Sequence, residues 1–322
     1  MLGLRGPRAR DAGAGQVHEG SRRAIRAAFW ANLGVAITKF CGFLFTGATS
    51  LLAEVLHSVA DTGNQLLLLL GAARAQRPAT PSHPFGYGRE RYFWAFIVAV
   101  VLFTIGSLFA ISKGIEALRE PHEIERPAWA MGILVVAIVL ESFSLRIAVR
   151  SANQLREGKS WWEFIRHAKM PELPVVLLED LGALLGLAIA LVAIALAVWT
   201  GNPVYDAAGS LAIGILLGVI AIVLGVEMKS LLIGESASRR EEGAIREAME
   251  SHPKLLRLVH LRTQHLGPEE LLVAARVELD PTLSLPEAAR VIDEAQELVR
   301  ARTPTARQIY IEPELSRRDP TS

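Results

Sequence analysis

The sequence predicts an α-helical membrane protein: six transmembrane helices followed by a small cytosolic α+β domain of order α-β-β-α-β. Three observations carry this. The 322 residues are 51% hydrophobic with a mean hydropathy of +0.31, too apolar for an ordinary soluble chain. The apolar residues gather in stretches of about 20, the length that crosses a hydrocarbon core. Beyond about residue 234 those stretches give way to amphipathic and alternating patterns. The net charge of +1 carries no footprint of nucleic-acid binding. The single cysteine, Cys41, excludes an intramolecular disulfide and a cysteine-cluster metal site; in its apolar run it reads as a small buried hydrophobe.

Residues 1–21 contain arginines but no apolar core segment and no small-residue cleavage site. They read as a disordered cytosolic tail, not a signal peptide. A membrane domain is expected over 22–234, with spans at 25–46, 50–72, 92–117, 128–150, 173–199 and 206–232. The third ("YFWAFIVAVVLFTIGSLFAIS") and the sixth ("AAGSLAIGILLGVIAIVLGV") are free of charge. The first two are interrupted by Lys39, Glu54, His57 and Asp61, and "TGATS" around Gly47 pairs them as a hairpin.

Basic residues set the orientation. Arg22, Arg23 and Arg26 precede the first span, and Arg74, Arg77, Arg89 and Arg91 lie between the second and third. Arg146, Arg150, Arg156, Lys159, Arg166 and Lys169 surround the loop after the fourth. The opposite loops carry only Arg119 and Arg126. Both termini are therefore expected in the cytoplasm of a cell (inner) membrane protein.

The cytosolic domain is expected over 235–315, with a tail at 316–322. "SRREEGAIREAMESH" spaces Ile245 and Met249 as an amphipathic helix. "LLRLVHLRTQHL" and "ELLVAARVEL" alternate as strands across a "GPE" turn. "LPEAARVIDEAQELVRA" is a second helix with Ser284 as N-cap and Pro286 in its first turn, and "ARQIYIEPE" is a last strand.

Ionisable groups at membrane depth cost several kcal/mol on insertion scales and mark a pathway or a site. Glu54, His57 and Asp61, spaced by three and four residues, fall on one face of a helix. One imidazole and one carboxylate at i and i+4 make half of a tetrahedral site for a borderline divalent metal. The fifth span, "PELPVVLLEDLGALLGL", supplies Glu179 and Asp180. His57, Asp61, Glu179 and Asp180 are thus the candidate metal ligands. Glu54 is a candidate proton relay. Lys39 and Glu141 read as structural counter-ions, pairing with each other or with Glu54, and Asn64 and Gln65 as interhelical hydrogen-bonding residues. No nucleophile-and-base pair is visible, so the chain does not read as an enzyme, and no resident cofactor is expected.

At "SLLAEVLHSVADTGNQ", "HPFGYGRERYFW", "DAAGSLAIGILLG" and the α-β-β-α-β domain, the chain resembles the cation diffusion facilitator family of metal transporters over residues 22–314. "VVLLED" with "HPFGYGRERYFW" most resembles the subgroup that includes the mitochondrial zinc transporter of animals. The resemblance implies a homodimer with a transport site between the second and fifth helices, exporting Zn(II), or Mn, Fe or Co, from the cytosol across the lipid bilayer against protons; alternating access is the expected mechanism. His57, Asp61 and Asp180 match family ligand positions. The remaining position is Val176, where the family usually has His or Asp. Glu179, one turn on, projects from nearly the same face and is the candidate replacement, one that tilts the site toward harder ions. The rival reading is a non-transporting membrane adaptor with a degenerate site. Elsewhere, His83 fits a family loop position but is followed by Tyr87 and reads as a loop histidine. His260 and His265 are an odd number apart on a strand and face opposite sides.

Overall fold

The computed structural model describes residue 30 and residues 33–47, 49–121, 124, 126–156, 158 and 160–314. The expected tails, the start of the first span, Arg22, Arg23, Arg26 and Lys159 lie outside the described residues. The chain divides into two compact units, one of residues up to 73 with 94–227, the other of residues 74–93 with those from 228 onward.

The first unit is helical. Helix α1 covers Leu33–Thr46 and α2 covers Thr49–Arg74. Gly47 turns the chain between them with φ of 64°, a left-handed conformation that strains any side chain, and its N–H closes on Phe43 O at 2.8 Å. Helix α3 runs over Glu90–Arg119, α4 over Pro127–Leu155, α5 over Trp161–His167, α6 over Glu172–Thr200 and α7 over Val204–Ile233. Four of these, α3, α4, α6 and α7, are long and apolar enough to cross a membrane. Helix α2, at 26 residues, has the length, but its acidic, histidine and amide residues keep it out of that group.

Small residues let α3 and α7 approach closely, as membrane helices do where no hydrophobic force separates helix from lipid. A π-helical turn over Leu102–Leu108 buries Gly106 and Ser107. Ser107 Oγ donates to Gly214 O at 2.7 Å, and Ser210 Oγ donates to Ala110 O at 3.2 Å. A Cβ on Gly214 would lie 2.8 Å from Ile111 N and 3.1 Å from Ser107 O, so that close approach requires glycine. Helix α4 packs along α6.

Three local readings change. Helix α4 continues to Leu155, five residues beyond the expected end at 150. Helix α5 was not expected, because seven residues are too few to display a period. Ser160 caps it by accepting from the Glu163 N–H at 3.1 Å, and the Arg156 guanidinium lies 4.4 Å over the Trp161 ring. Cys41 is exposed, not buried; an apolar run in a membrane helix does not say which face turns inward.

The second unit builds a sheet covered by two helices. Helix α8, Arg239–Glu250, opens on a reciprocal capping box: Ser238 Oγ accepts from the Glu241 N–H at 3.2 Å, and the Ser238 N–H donates to Glu241 Oε2 at 3.0 Å. Strand β1 spans Leu255–Gly267, β2 spans Glu270–Leu279, helix α9 spans Leu285–Arg302 and β3 spans Ala306–Glu314. The sheet order is β1-β2-β3, with β1 antiparallel and β3 parallel to β2. A tight turn joins the first pair, and α9 makes the crossover that a parallel pair needs. Ile245, Met249, Val273, Val277, Val291 and Val299 meet in the core. The segment between α2 and α3 belongs to this unit: a Cβ on Gly88 would lie 2.7 Å from Leu266 O, and one on Gly267 would lie 2.9 Å from Gly88 Cα.

Candidate cation site

Helix α2 presents Glu54, His57 and Asp61 to the interior, and all three are buried. His57 Nε2 lies 3.5 Å from Asp61 Oδ2, the i, i+4 pairing expected from helix geometry. Both ring nitrogens of His57 and Oδ1 of Asp61 are buried without a hydrogen-bond partner. Orphaned polar atoms at membrane depth cost free energy that an apolar side chain would not.

Helix α6 supplies the opposing acids, both buried. Asp180 Oδ2 accepts from Ser144 Oγ of α4 at 2.8 Å. Glu179 Oε1 accepts from Asn64 Nδ2 of α2 at 2.7 Å, which ties α2 to α6 at the level of the site. Asp61 lies within electrostatic range of Glu179, Asp180 and Glu141. Among the described residues, no three His, Cys, Asp or Glu side chains are gathered closely enough to hold a metal ion. His57 with Asp61 and Glu179 with Asp180 therefore stand as two separate pairs on two helices. Val176, half-buried one turn before Asp180, offers no donor.

Glu54 faces a different neighbourhood. Its Oε2 lies 3.2 Å from Lys39 Nζ of α1, and its Oε1 occupies the space that a Cβ on Gly186 of α6 would need. Lys39 Nζ also donates to Ser58 Oγ at 2.7 Å and lies 3.7 Å from Glu141 Oε1. Both counter-ion pairings expected for Lys39 are thus present.

Sequence reading passed over Ser144. Its signal was its place three residues after Glu141 on α4, a second polar position on one helix face. Asn64 makes the interhelical bond expected of it, and only the fold identifies Glu179 as the acceptor. His83, His252, His260 and His265 lie elsewhere. His83 is exposed, 4.5 Å from the Tyr87 ring centroid, with Nδ1 3.1 Å from Ser82 Oγ. His252 Nε2 is 2.8 Å from Glu294 Oε2. His260 is exposed and accepts from Arg262 Nε at 2.7 Å, whereas His265 is buried, as their odd spacing requires.

The family profile described as "Cation efflux transmembrane domain" matches residues 25–233, and "Cation efflux protein, cytoplasmic domain" matches residues 237–315. The chain is 31% identical over 316 residues to "Proton-coupled zinc antiporter SLC30A9, mitochondrial" of Homo sapiens, covering 97% of this chain and 55% of that one. It is 31% identical over 265 residues to "Metal tolerance protein C4" of Arabidopsis thaliana, covering 81% and 57%. It is 27% identical over 271 residues to "Cation-efflux pump FieF" of Pectobacterium atrosepticum, covering 84% and 85%. The chain spans about half the length of the first two of these relatives.

Proposed function

The chain belongs to the cation efflux (cation diffusion facilitator) family, and from that premise we propose that it exchanges a divalent transition-metal cation, zinc foremost, for protons. The observation that carries this reading is the His57–Asp61 pair, buried in α2 with three unpartnered polar atoms, with Asp61 in electrostatic range of Glu179 and Asp180 on α6. One imidazole and three carboxylates suit zinc and also admit manganese, iron or cobalt.

The coupling follows from ligand chemistry. A metal is held by neutral imidazole and by carboxylate, so binding expels protons, and protons arriving from the opposite side release the metal. In this reading His57, Asp61, Asp180 and Glu179 are the ligands and Glu54 relays protons. Alternating access consists of drawing the α2 and α6 half-sites together around the cation on the cytosolic side and parting them on the other. The reading includes six spans, with α1 and α2 as the first hairpin, both termini in the cytoplasm, and a homodimer joined through the C-terminal domain.

The test is metal-driven proton flux in proteoliposomes, measured with an internal pH-sensitive dye across zinc, manganese, iron and cobalt. Asp61→Asn and Asp180→Asn are expected to abolish flux. Wild-type flux in either variant refutes the site. Metal binding by wild-type protein without flux for any ion supports the adaptor reading instead.

A further inference from the structure

Lys39 is a cation with 0% of its surface exposed in a helix of the membrane unit, and metal transport as described gives it no task. We propose that Lys39 is a positioning residue that sets the strength of the cation site: its fixed charge occupies Glu54 and Glu141 and opposes the cargo at His57 and Asp61. This rests on the assignment of those two residues to the site.

A lysine at membrane depth is retained only when paired. The Lys39 ammonium has three partners: Glu54 at 3.2 Å, Ser58 at 2.7 Å and Glu141 at 3.7 Å. Each sits beside the site. Glu54 is one turn before His57, and Ser58 follows His57 directly. Glu141 is one turn before Ser144, which holds Asp180. His57 and Asp61 both lie within electrostatic range of Lys39.

Five buried carboxylates lie along α2, α4 and α6: Glu54, Asp61, Glu141, Glu179 and Asp180. A divalent cation meeting all five would find a deep well, and transport requires binding weak enough to permit release. Lys39 removes two of the five from that well. It also places a like charge near the cargo, an effect of about tenfold or more on affinity at the dielectric of such interiors.

The test is a charge cycle on full-length purified protein, with zinc affinity measured by titration and zinc release by stopped flow. Lys39→Met is expected to bind zinc at least about tenfold tighter and to release it correspondingly slower. Glu54→Gln is expected to bind more weakly, because the lysine charge is then less offset. The double variant Lys39→Met/Glu54→Gln keeps the formal charge of the network, and its zinc affinity is expected to return toward the wild-type value. An ion pair that merely holds helices together predicts weaker binding in both single variants. Unchanged or weaker binding in Lys39→Met overturns the proposal. Should that variant fail to fold, the comparison of Glu54→Gln with the double variant decides: removing Lys39 must restore affinity, and failure to restore it overturns the proposal. Asp61→Asn separates the two levels. Loss of binding there without the charge-cycle pattern sinks the role of Lys39 alone, whereas retained binding sinks the site assignment and this role together.

Discussion

Replacing Asn64 by leucine tests whether Glu179 belongs to the site or only ties two helices. Asn64 Nδ2 donates to Glu179 Oε1 at 2.7 Å, between buried side chains of α2 and α6. Leucine keeps the outline of a side chain branched at Cγ and removes the donor. Hydrogen bonds to charged groups are worth about 1.5–3 kcal/mol in soluble proteins. Interhelical bonds in membranes average about 0.6 kcal/mol and reach about 1.7, because chains unfolded within the bilayer find other partners. A short bond to a carboxylate belongs near the upper end, so we expect Asn64→Leu to cost about 1–2 kcal/mol and to lower the melting temperature in detergent by a few degrees. That much follows from packing alone. If Glu179 supplies a metal oxygen, Asn64 also orients a ligand, and zinc affinity should fall about 10- to 100-fold. The assay is a double-mutant cycle of Asn64→Leu with Glu179→Gln, read by thermal melting and by zinc titration. Coupling of about 1 kcal/mol in both readouts is expected for residues in direct contact. Zinc affinity unchanged in Asn64→Leu, with stability reduced, would refute the ligand role of Glu179.

Gly186→Ala is expected to destabilise the membrane unit by about 1–3 kcal/mol, because its Cβ takes the place of Glu54 Oε1 in a packed interior. Glu54→Asp, by shortening the side chain, should recover part of that loss in the same melting assay; full tolerance of Gly186→Ala would disprove the close approach. At the start of α9, the Ser284 hydroxyl and N–H both donate to Glu287 Oε2, at 2.7 and 2.9 Å, and hold the Glu287 carboxyl below its ordinary value of 4.5. A carboxyl lowered in the folded state contributes stability above its ordinary value and loses it as pH falls through the lowered one. Amide protection across residues 285–290, taken as exchange relative to the intrinsic rate at each pH, should therefore fall on acidification below that range in wild type. Ser284→Ala should lower that protection at neutral pH and flatten its acid dependence; an unaltered acid dependence would contradict the assignment.

How much of this was legible in the sequence depended on how local the cause was. Element types were legible because their signals lie within one stretch. The break in composition near residue 234, the alternation in β1 and β2, the Ser284 N-cap and the i, i+4 pairing of His57 with Asp61 each need only a few neighbouring residues. The candidate site was legible as a candidate too, since acids and a histidine inside apolar helices stand out from their neighbours. Partner identity was not. Which donor meets Glu179, which hydroxyl meets Asp180, and that Gly186 leaves room for Glu54 depend on the rotation and depth of one helix against another.

The sequence by itself determined the helical membrane class, the α-β-β-α-β domain and the four candidate ligands, because hydropathy and periodicity are properties of contiguous residues. Only the tertiary structure decided that β3 lies parallel beside β2, that residues 74–93 belong with the C-terminal unit, and that Lys39 stands between Glu54 and Glu141. Those outcomes are set by contacts between residues far apart in the chain, where packing and charge, not local pattern, choose the neighbour.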